Sequence, residues 1–254
     1  MTQQRVLVTA GAAGIGLEIV RAFIENGASV FVCDLNPDAL KALEQEIPGV
    51  KTGLCDVSKR QDVERMMNEC IRALGGLDVL VNNAGIAGPT APVEEIDPDE
   101  WEKVLAVDLS GTFNVTRLAI AHLKKSSAGV ILNMSSVAGR FGYANRSPYC
   151  TAKWGVIGFT KTLSIELGEY GIRANAILPG AVEGPRIQRV FEGRAEASGK
   201  TVDEIRKEAM AVQSLKRLVD PKDIAALAVY LASDAAKSIS GQMLPIDNDM
   251  QQAS

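Results

Sequence analysis

Short apolar runs alternate along the chain with longer stretches in which apolar positions recur every three or four residues. Runs of the first kind fall near 5–10, 29–33, 50–54, 78–82, 128–134, 172–178 and 242–246. Nearly continuous apolar character over so few residues matches strands buried on both faces. Stretches of the second kind fall near 14–26, 37–46, 59–73, 99–124, 148–169 and 221–232, each with an apolar stripe at helical period. This alternation predicts an α/β fold: one doubly wound parallel sheet with helices on both faces. No repeat, low-complexity tract or proline-rich linker interrupts it, so residues 1–254 read as a single domain. The irregular stretch near 181–214 stands apart. Its latter half, TVDEIRKEAMAV, has a helical pattern that begins on a threonine N-cap with acids close behind. It leaves the carboxyl ends of the strands, where ligands of open α/β sheets bind, so a substrate lid is expected; a charge-balanced surface excursion is the plainer alternative.

Composition narrows the class. With 254 residues, 46% hydrophobic and 23% charged, the chain can bury a full core. A net charge of −4 offers no basic footprint for nucleic acid or an anionic membrane. No charged-then-apolar leader precedes the first strand, and no apolar run approaches the roughly 18 residues needed to cross a bilayer. A cytoplasmic enzyme with neither a nucleic-acid nor a membrane partner is the expectation. Cys33, Cys55, Cys70 and Cys150 lack C-x-x-C spacing, which points to buried thiols and to no metal site. His122 is the single histidine and ends a helical pattern, where it caps carbonyls; a Ser-His-Asp hydrolase is thereby disfavoured.

Chemistry enters with Tyr149 and Lys153, the ends of YCTAK. Four residues apart on a helix, they share a face, so an ammonium sits beside a phenol and favours its ionised form. That is what a proton-transfer group working near neutral pH requires. Surface pairs produce the same spacing, so context must decide. Ser136 ends the β-rich run GVILNMSS thirteen residues before the tyrosine. A hydroxyl at a strand end facing a tyrosine near a helix start suits a substrate site. At the other end of the chain, RVLVTAGAAGIGLEIVRAF reads as a strand, a small-residue turn and an amphipathic helix. Gly11, Gly14 and Gly16 let backbone N–H groups approach a pyrophosphate at the helix N-terminus. Asp34 closes the second strand eighteen residues after Gly16, where a carboxylate accepts from ribose hydroxyls and repels a 2′-phosphate. No Arg or Lys in CDLNPD offsets that repulsion, so NAD is expected in preference to NADP. Helix capping by Asp34 is the alternative reading.

In this order the motifs TAGAAGIG, Asp34, CDV, NNAG, Ser136, the Tyr149/Lys153 pair and PG make the chain, from about Arg5 to about Asp247, resemble the short-chain dehydrogenase/reductase family. The resemblance implies a Rossmann-like fold and an NAD-dependent oxidoreductase acting on a small secondary alcohol or carbonyl compound. Tyr149 would exchange the proton, Ser136 would hydrogen-bond the substrate oxygen, and Lys153 would hold the nicotinamide ribose. Cofactor contacts would also come from Gly14, Ile15 and Gly16, from Asp56 and Val57 at the adenine, from Asn82, Asn83, Ala84 and Gly85, and from Pro179, Gly180 and Val182. Three positions depart from the family pattern, one being Gly184, where a hydroxyl residue is often found. Ala10 stands where the first glycine is usual, so the turn could shift by one residue onto Gly11. Asp108 stands where an asparagine is usual; it is either a relay residue behind Lys153 or a polar kink before Gly111. The resemblance also implies pairing of the helices near 99–124 and 148–169 in a homotetramer or homodimer, with Leu118, Phe159 and Leu163 as apolar contacts or as ordinary core.

For the substrate, Phe141 and Tyr143 follow Ser136, and Arg186 and Arg189 lie three apart in EGPRIQRV. Aromatic walls and a guanidinium would suit a sugar, polyol, hydroxy acid or cyclic alcohol, although solvated lid charges explain the arginines equally well. An NAD-binding epimerase or dehydratase, and a non-catalytic NAD-binding protein, are the competing readings.

Overall fold

The computed structural model describes residues 3–252. Seven strands form one parallel sheet: β1 Arg5–Thr9, β2 Ser29–Asp34, β3 Lys51–Leu54, β4 Val79–Asn82, β5 Val130–Met134, β6 Arg173–Pro179 and β7 Met243–Ile246. Their spatial order is β3-β2-β1-β4-β5-β6-β7. The connections run one way from β1 to β3 and the other way from β4 to β7, so the winding reverses between β1 and β4. Such a reversal opens a crevice at the carboxyl ends of the strands.

The helices are α1 Gly14–Glu25, α2 Pro37–Glu46, α3 Arg60–Leu74, α4 Pro98–Leu105, α5 Gly111–Leu123, α6 Ser147–Glu166, α7 Pro185–Ser198, α8 Val202–Ala211 and α9 Pro221–Ala232. Successive strand residues point to opposite faces, and β1 shows the consequence. Val6 and Val8 enter a core with Ile19 and Phe23 of α1 and Ile224 and Leu231 of α9. Leu7, between them, enters a second core with Met66 of α3, Leu123 of α5 and Leu163 of α6. Burial on both faces is why the strands read as apolar runs instead of alternating ones.

Three helices begin with an Asx-Pro pair. Asn36 accepts from the N–H groups of Asp38 and Ala39, Asp97 from that of Asp99, and Asp220 from that of Lys222. Helix α1 differs: Ala13 provides no side-chain cap and no acid occupies its first turn, which leaves the first N–H groups for a ligand.

The strands and the six expected helices lie within about two residues of their sequence positions, except that one expected helix is interrupted. α4 and α5 form a continuous rod joined by a π-helical turn over Ala106–Ser110. This rod, Pro98–Leu123, is 26 residues long and by length and composition apolar enough to cross a membrane, against the sequence expectation. Its buried positions Val104, Val115, Ala119 and Leu123 are spent on the protein core, as in a core helix of a folded domain. The 181–214 segment is more regular than expected, for α7 occupies the half that carried no helical prediction. Phe191 and Ala195 of α7 pack against Ile205 and Ala209 of α8 in a small core of their own.

Candidate active site

At the carboxyl ends of β1, β4, β5 and β6 lies a cavity of about 480 Å³, walled on one side by the β1–α1 turn and on the other by α6 and α7. The turn comes first in the chain. Ala10 adopts φ +49°, the left-handed conformation natural to the glycine it replaces, so the turn keeps its place and does not shift onto Gly11. Gly16 is required by contact: a Cβ there would lie 2.2 Å from the Ala10 carbonyl oxygen and 2.6 Å from Asn83 Nδ2. Asn83 Nδ2 donates to the carbonyls of Thr9 and Ala10 (3.1 and 3.0 Å), which ties the end of β4 to the turn.

Asp34 also faces this end of the cavity. Its carboxylate accepts from Ala12 N (3.2 Å) and Asn36 N (3.0 Å), one bond to each oxygen. Those bonds fix its orientation, and each carboxylate oxygen retains a further acceptor site. The helix-capping role belongs to Asn36, not to Asp34.

The catalytic end is built on β5 and α6. Ser136 follows β5 in extended conformation and is buried, with Oγ accepting from Ala138 N at 3.1 Å. Its neighbour Ser135 donates to the Lys153 carbonyl at 2.8 Å, clamping the strand end to α6. Tyr149, in the first turn of α6, has Lys153 Nζ 5.6 Å from its ring centroid. Lys153 is itself 3% exposed. Its ammonium donates to the Met134 carbonyl at 3.1 Å and lies 3.2 Å from Asp108 Oδ2. The other oxygen of Asp108 accepts from Ile86 N at 2.7 Å. The Asp108–Lys153 contact is an ion pair by distance without the alignment of a hydrogen bond, since Oδ2 has no aligned donor. Gly85 makes room for it, because a Cβ there would meet Lys153 Nζ at 3.1 Å and Asp108 Oδ2 at 3.2 Å.

Asp108 reaches this position from the π-helical turn, a distortion that often accompanies functional residues. Asp108 thus sits at a helix irregularity, with its carboxylate directly behind the lysine.

The other tyrosine of the cavity, Tyr143, is held neutral. Burial pushes its phenol up to about 12, and its hydroxyl donates to Met250 Sδ at 2.9 Å. His122 is not among the cavity walls, and burial lowers its imidazole below the ordinary value. Among the described residues no group of His, Cys, Asp and Glu is arranged to hold a metal ion.

Gly14, Ile15, Gly16, Asp34, Asn83, Gly85, Ser136, Tyr143, Tyr149, Lys153, Pro179, Gly180, Val182, Arg186 and Arg189 all line the cavity, as the sequence suggested. Of the other expected residues, Asp108 lies behind Lys153, and six more stay off the cavity wall. Gly11 faces the core, where a Cβ would lie 2.8 Å from Val32 Cγ1. Asp56 spends its carboxylate on Ser58 and Lys59, and the Val57 carbonyl accepts from Asn114. Asn82 is buried beneath the site, donating to Thr116 Oγ1 (2.9 Å) and Asn133 Oδ1 (2.8 Å), so it braces β4 against β5 and α5. Ala84 donates its N–H to Thr9 Oγ1. Phe141 stays outside the cavity with the Arg140 guanidinium 4.8 Å from its ring centroid. Leu163, 2% exposed, is core and unavailable to a second subunit. Sequence reasoning missed Arg146, Arg194 and Met250, which do line the cavity. Only Arg146 left a local signal, its position three residues before Tyr149.

A crevice at the winding reversal of a parallel sheet, lined by the β1–α1 turn, a serine, a tyrosine and a buried lysine, is suited to a nucleotide-dependent oxidoreductase. Comparison with known proteins specifies the family. A family model described as enoyl-(acyl carrier protein) reductase matches residues 10–250. An L-fucose dehydrogenase of Bos taurus is 39% identical, over 94% of this chain and 86% of that one. A D-beta-hydroxybutyrate dehydrogenase of Cupriavidus necator is 37% identical, over 95% of each. Among solved structures, NAD+-bound xylitol dehydrogenase superposes with a TM-score of 0.91 at 29% identity, covering 96% of this chain and 97% of that one. Actinorhodin polyketide ketoreductase with NADPH gives 0.92 at 31% identity, covering 97% and 96%. The chain belongs to the short-chain dehydrogenase/reductase family and is an oxidoreductase of alcohol and carbonyl groups that uses a nicotinamide cofactor.

Proposed function

We propose that this enzyme interconverts a small secondary alcohol and its carbonyl compound, with NAD preferred over NADP and with Tyr149 as the acid/base. The observation that carries the proposal is the pairing of two sites at opposite ends of one cavity. Asp34 stands where a 2′-phosphate would meet its carboxylate; Ser136, Tyr149 and Lys153 converge at the other end. When bound, the nicotinamide cofactor supplies or accepts the hydride. The rest is the work of the chain. The uncapped first turn of α1 offers N–H groups to the pyrophosphate, and the fixed Asp34 carboxylate accepts from ribose hydroxyls. Lys153 retains ammonium hydrogens beyond those directed at Met134 and Asp108, which it can offer to a ribose. Ser136 positions the substrate oxygen and Tyr149 exchanges its proton.

Both NAD+ and NADPH occur among the structural neighbours, so the cofactor preference rests on Asp34. Purified enzyme given NAD or NADP against a panel of sugars, polyols, hydroxy acids and cyclic alcohols should favour NAD in kcat/KM by more than about tenfold. Equal use of the two would overturn the preference. Net accumulation of reduced cofactor separates this activity from an epimerase or dehydratase, which returns its cofactor unchanged.

We also propose a homodimer or homotetramer joined through α5 and α6. Phe113, Trp154 and Ile165 on these helices remain 45%, 52% and 81% exposed, and Phe159, pairing edge-on with Phe113, extends that apolar face. Light scattering at micromolar concentration should give a multiple of the chain mass. The four cysteines are buried free thiols, which supports placement in a reducing cytoplasm.

A further inference from the structure

Arg146 is the anomaly of the cavity. Its side chain lines the wall yet is 8% exposed, and among the described residues no carboxylate pairs with it. Its polar contacts are neutral: Nη2 donates to the Ala87 carbonyl at 2.9 Å and Nη1 approaches Thr90 Oγ1 at 3.5 Å, while Nε is buried without a partner. A guanidinium serving only to hold the 87–90 loop would carry a charge that those contacts do not need. Burying such a charge is unfavourable unless a counter-charge arrives. Burial disfavours the ionised form of Arg146 most strongly; Tyr149 and Cys150 act in its favour, and the nearby Arg186 and Arg194 act against it.

The surroundings point the same way. Arg146 and Arg186 lie 5.1 and 5.8 Å from the Tyr149 ring centroid, and Arg189 and Arg194 also line this end. Among the described lining residues the acids are Asp34, at the cofactor end, and the exposed Glu183. Lys153 has Asp108 as its counter-ion; among the described residues Arg146 has none. The cavity thus combines a buried uncompensated cation with further guanidinium groups beside the ring that handles the proton.

We infer that Arg146 is a specificity-determining residue that receives a substrate carboxylate, and that the substrate is a short hydroxy acid or the corresponding oxo acid. The guanidinium lies against the ring of Tyr149, so the carboxylate must sit within a few bonds of the carbinol carbon. The carboxylate takes no part in the redox change; it compensates Arg146 and fixes which carbon faces Tyr149. This inference rests on the oxidoreductase reading and names the substrate class of that same site.

The test compares wild type, Arg146→Gln and Arg146→Lys on α-, β- and γ-hydroxy acids and on the methyl ester of each, with saturating NAD. Wild type should prefer at least one acid over its ester by about 100-fold in kcat/KM, as expected for loss of a charge-assisted hydrogen bond. In Arg146→Gln that ratio should collapse to within a few-fold, mainly through KM, and Arg146→Lys should retain an intermediate ratio. Comparable use of acid and ester by wild type, or survival of the ratio in Arg146→Gln, would overturn the inference.

A second readout is independent of turnover. Acetate and malonate should raise the Tm of wild type with NADH, acetamide should not, and Arg146→Gln should lose the response while keeping the wild-type circular dichroism. No response in wild type also overturns the inference. Should Arg146→Gln not fold, Arg146→Lys carries both comparisons. Turnover confined to neutral alcohols would leave the oxidoreductase reading intact and remove only the carboxylate. Absence of cofactor oxidation or reduction with every alcohol and ketone would remove the oxidoreductase reading, and the Tm comparison would still judge Arg146.

Discussion

The strand ends that carry the chemistry and the α7–α8 segment that covers them are built on different terms. At the strand ends three polar side chains are each held by two partners: Lys153 by Met134 and Asp108, Asp34 by two backbone N–H groups, Asn83 by two carbonyls of the turn. The sheet behind them has a core on each face. The covering segment has a separate core centred on Phe191, Ala195, Ile205 and Ala209. α7 starts from Gly184 at φ 140° without a side-chain cap, whereas α8 starts on a full capping box between Thr201 and Glu204. The two helix starts therefore differ, and we propose that the segment moves as a lid over the strand ends. Proton and hydride transfer tolerate little misplacement, which calls for rigidity where bonds change. In this proposal Arg186 and Arg189, both on α7, shift with the lid as substrate is admitted.

The most severe disruption of this division is Lys153→Ala. It strands the fully buried Asp108 carboxylate, so stability should fall by about 3–5 kcal/mol in addition to the loss of turnover and of NAD binding. Adding Asp108→Asn should restore most of the stability without restoring activity; chemical denaturation measures the first and NADH formation the second. If the single variant is as stable as wild type, the buried ion pair does not hold the catalytic end together.

Tyr149→Phe tests chemistry without that structural penalty. Loss of the transferable proton should lower kcat by about 10³-fold, while Tm and cofactor binding stay close to wild type. A near-normal kcat would assign the acid/base elsewhere.

On the lid side, Phe191→Ala opens the small core. Truncating a buried phenylalanine costs about 3–5 kcal/mol where it packs. With a lid that opens on its own, the loss should appear as a KM raised by about tenfold or more and as faster hydrogen exchange confined to 185–211. A Tm lowered as far as by a truncation in either sheet core would mean that lid and sheet unfold together.

Ala10→Gly is the gentlest probe. Relief of a left-handed alanine should add about 1 kcal/mol of stability, visible as a small rise in Tm with NAD affinity retained. A destabilised variant would mean that the lost Cβ contacts and the added chain entropy outweigh the backbone strain.

These differences also explain what could be read in advance. The six helices and seven strands of the sheet region were legible because each one buries its stripe or its run against a long-range core, and that requirement is written as periodicity. Helix α7 was harder. Its apolar positions Ile187, Phe191 and Ala195 do recur every four residues, but they serve a small local core among many charges, with Pro185 at the start and Gly193 inside. Asp108 was recognisable as a departure from a pattern; the π-helical turn that aims it at Lys153 was not. The family resemblance assigns Asn82 to the cofactor and the adjoining strand, and its bonds to Thr116 and Asn133 show it bracing β4.

Sequence alone determined the fold class, through apolar runs alternating with helical stripes, and the family, through motifs in their order along the chain; it also singled out Ser136, Tyr149 and Lys153 for test. Tertiary structure alone decided which polar residues lie buried and which charges are compensated. Arg146 is the clearest case. Nothing in NRSPY marks it as buried, yet its contacts with the 87–90 segment remove it from water, and among the described residues no carboxylate pairs with it. Burial and compensation depend on what the rest of the chain places nearby in space, and no local pattern of residues encodes that.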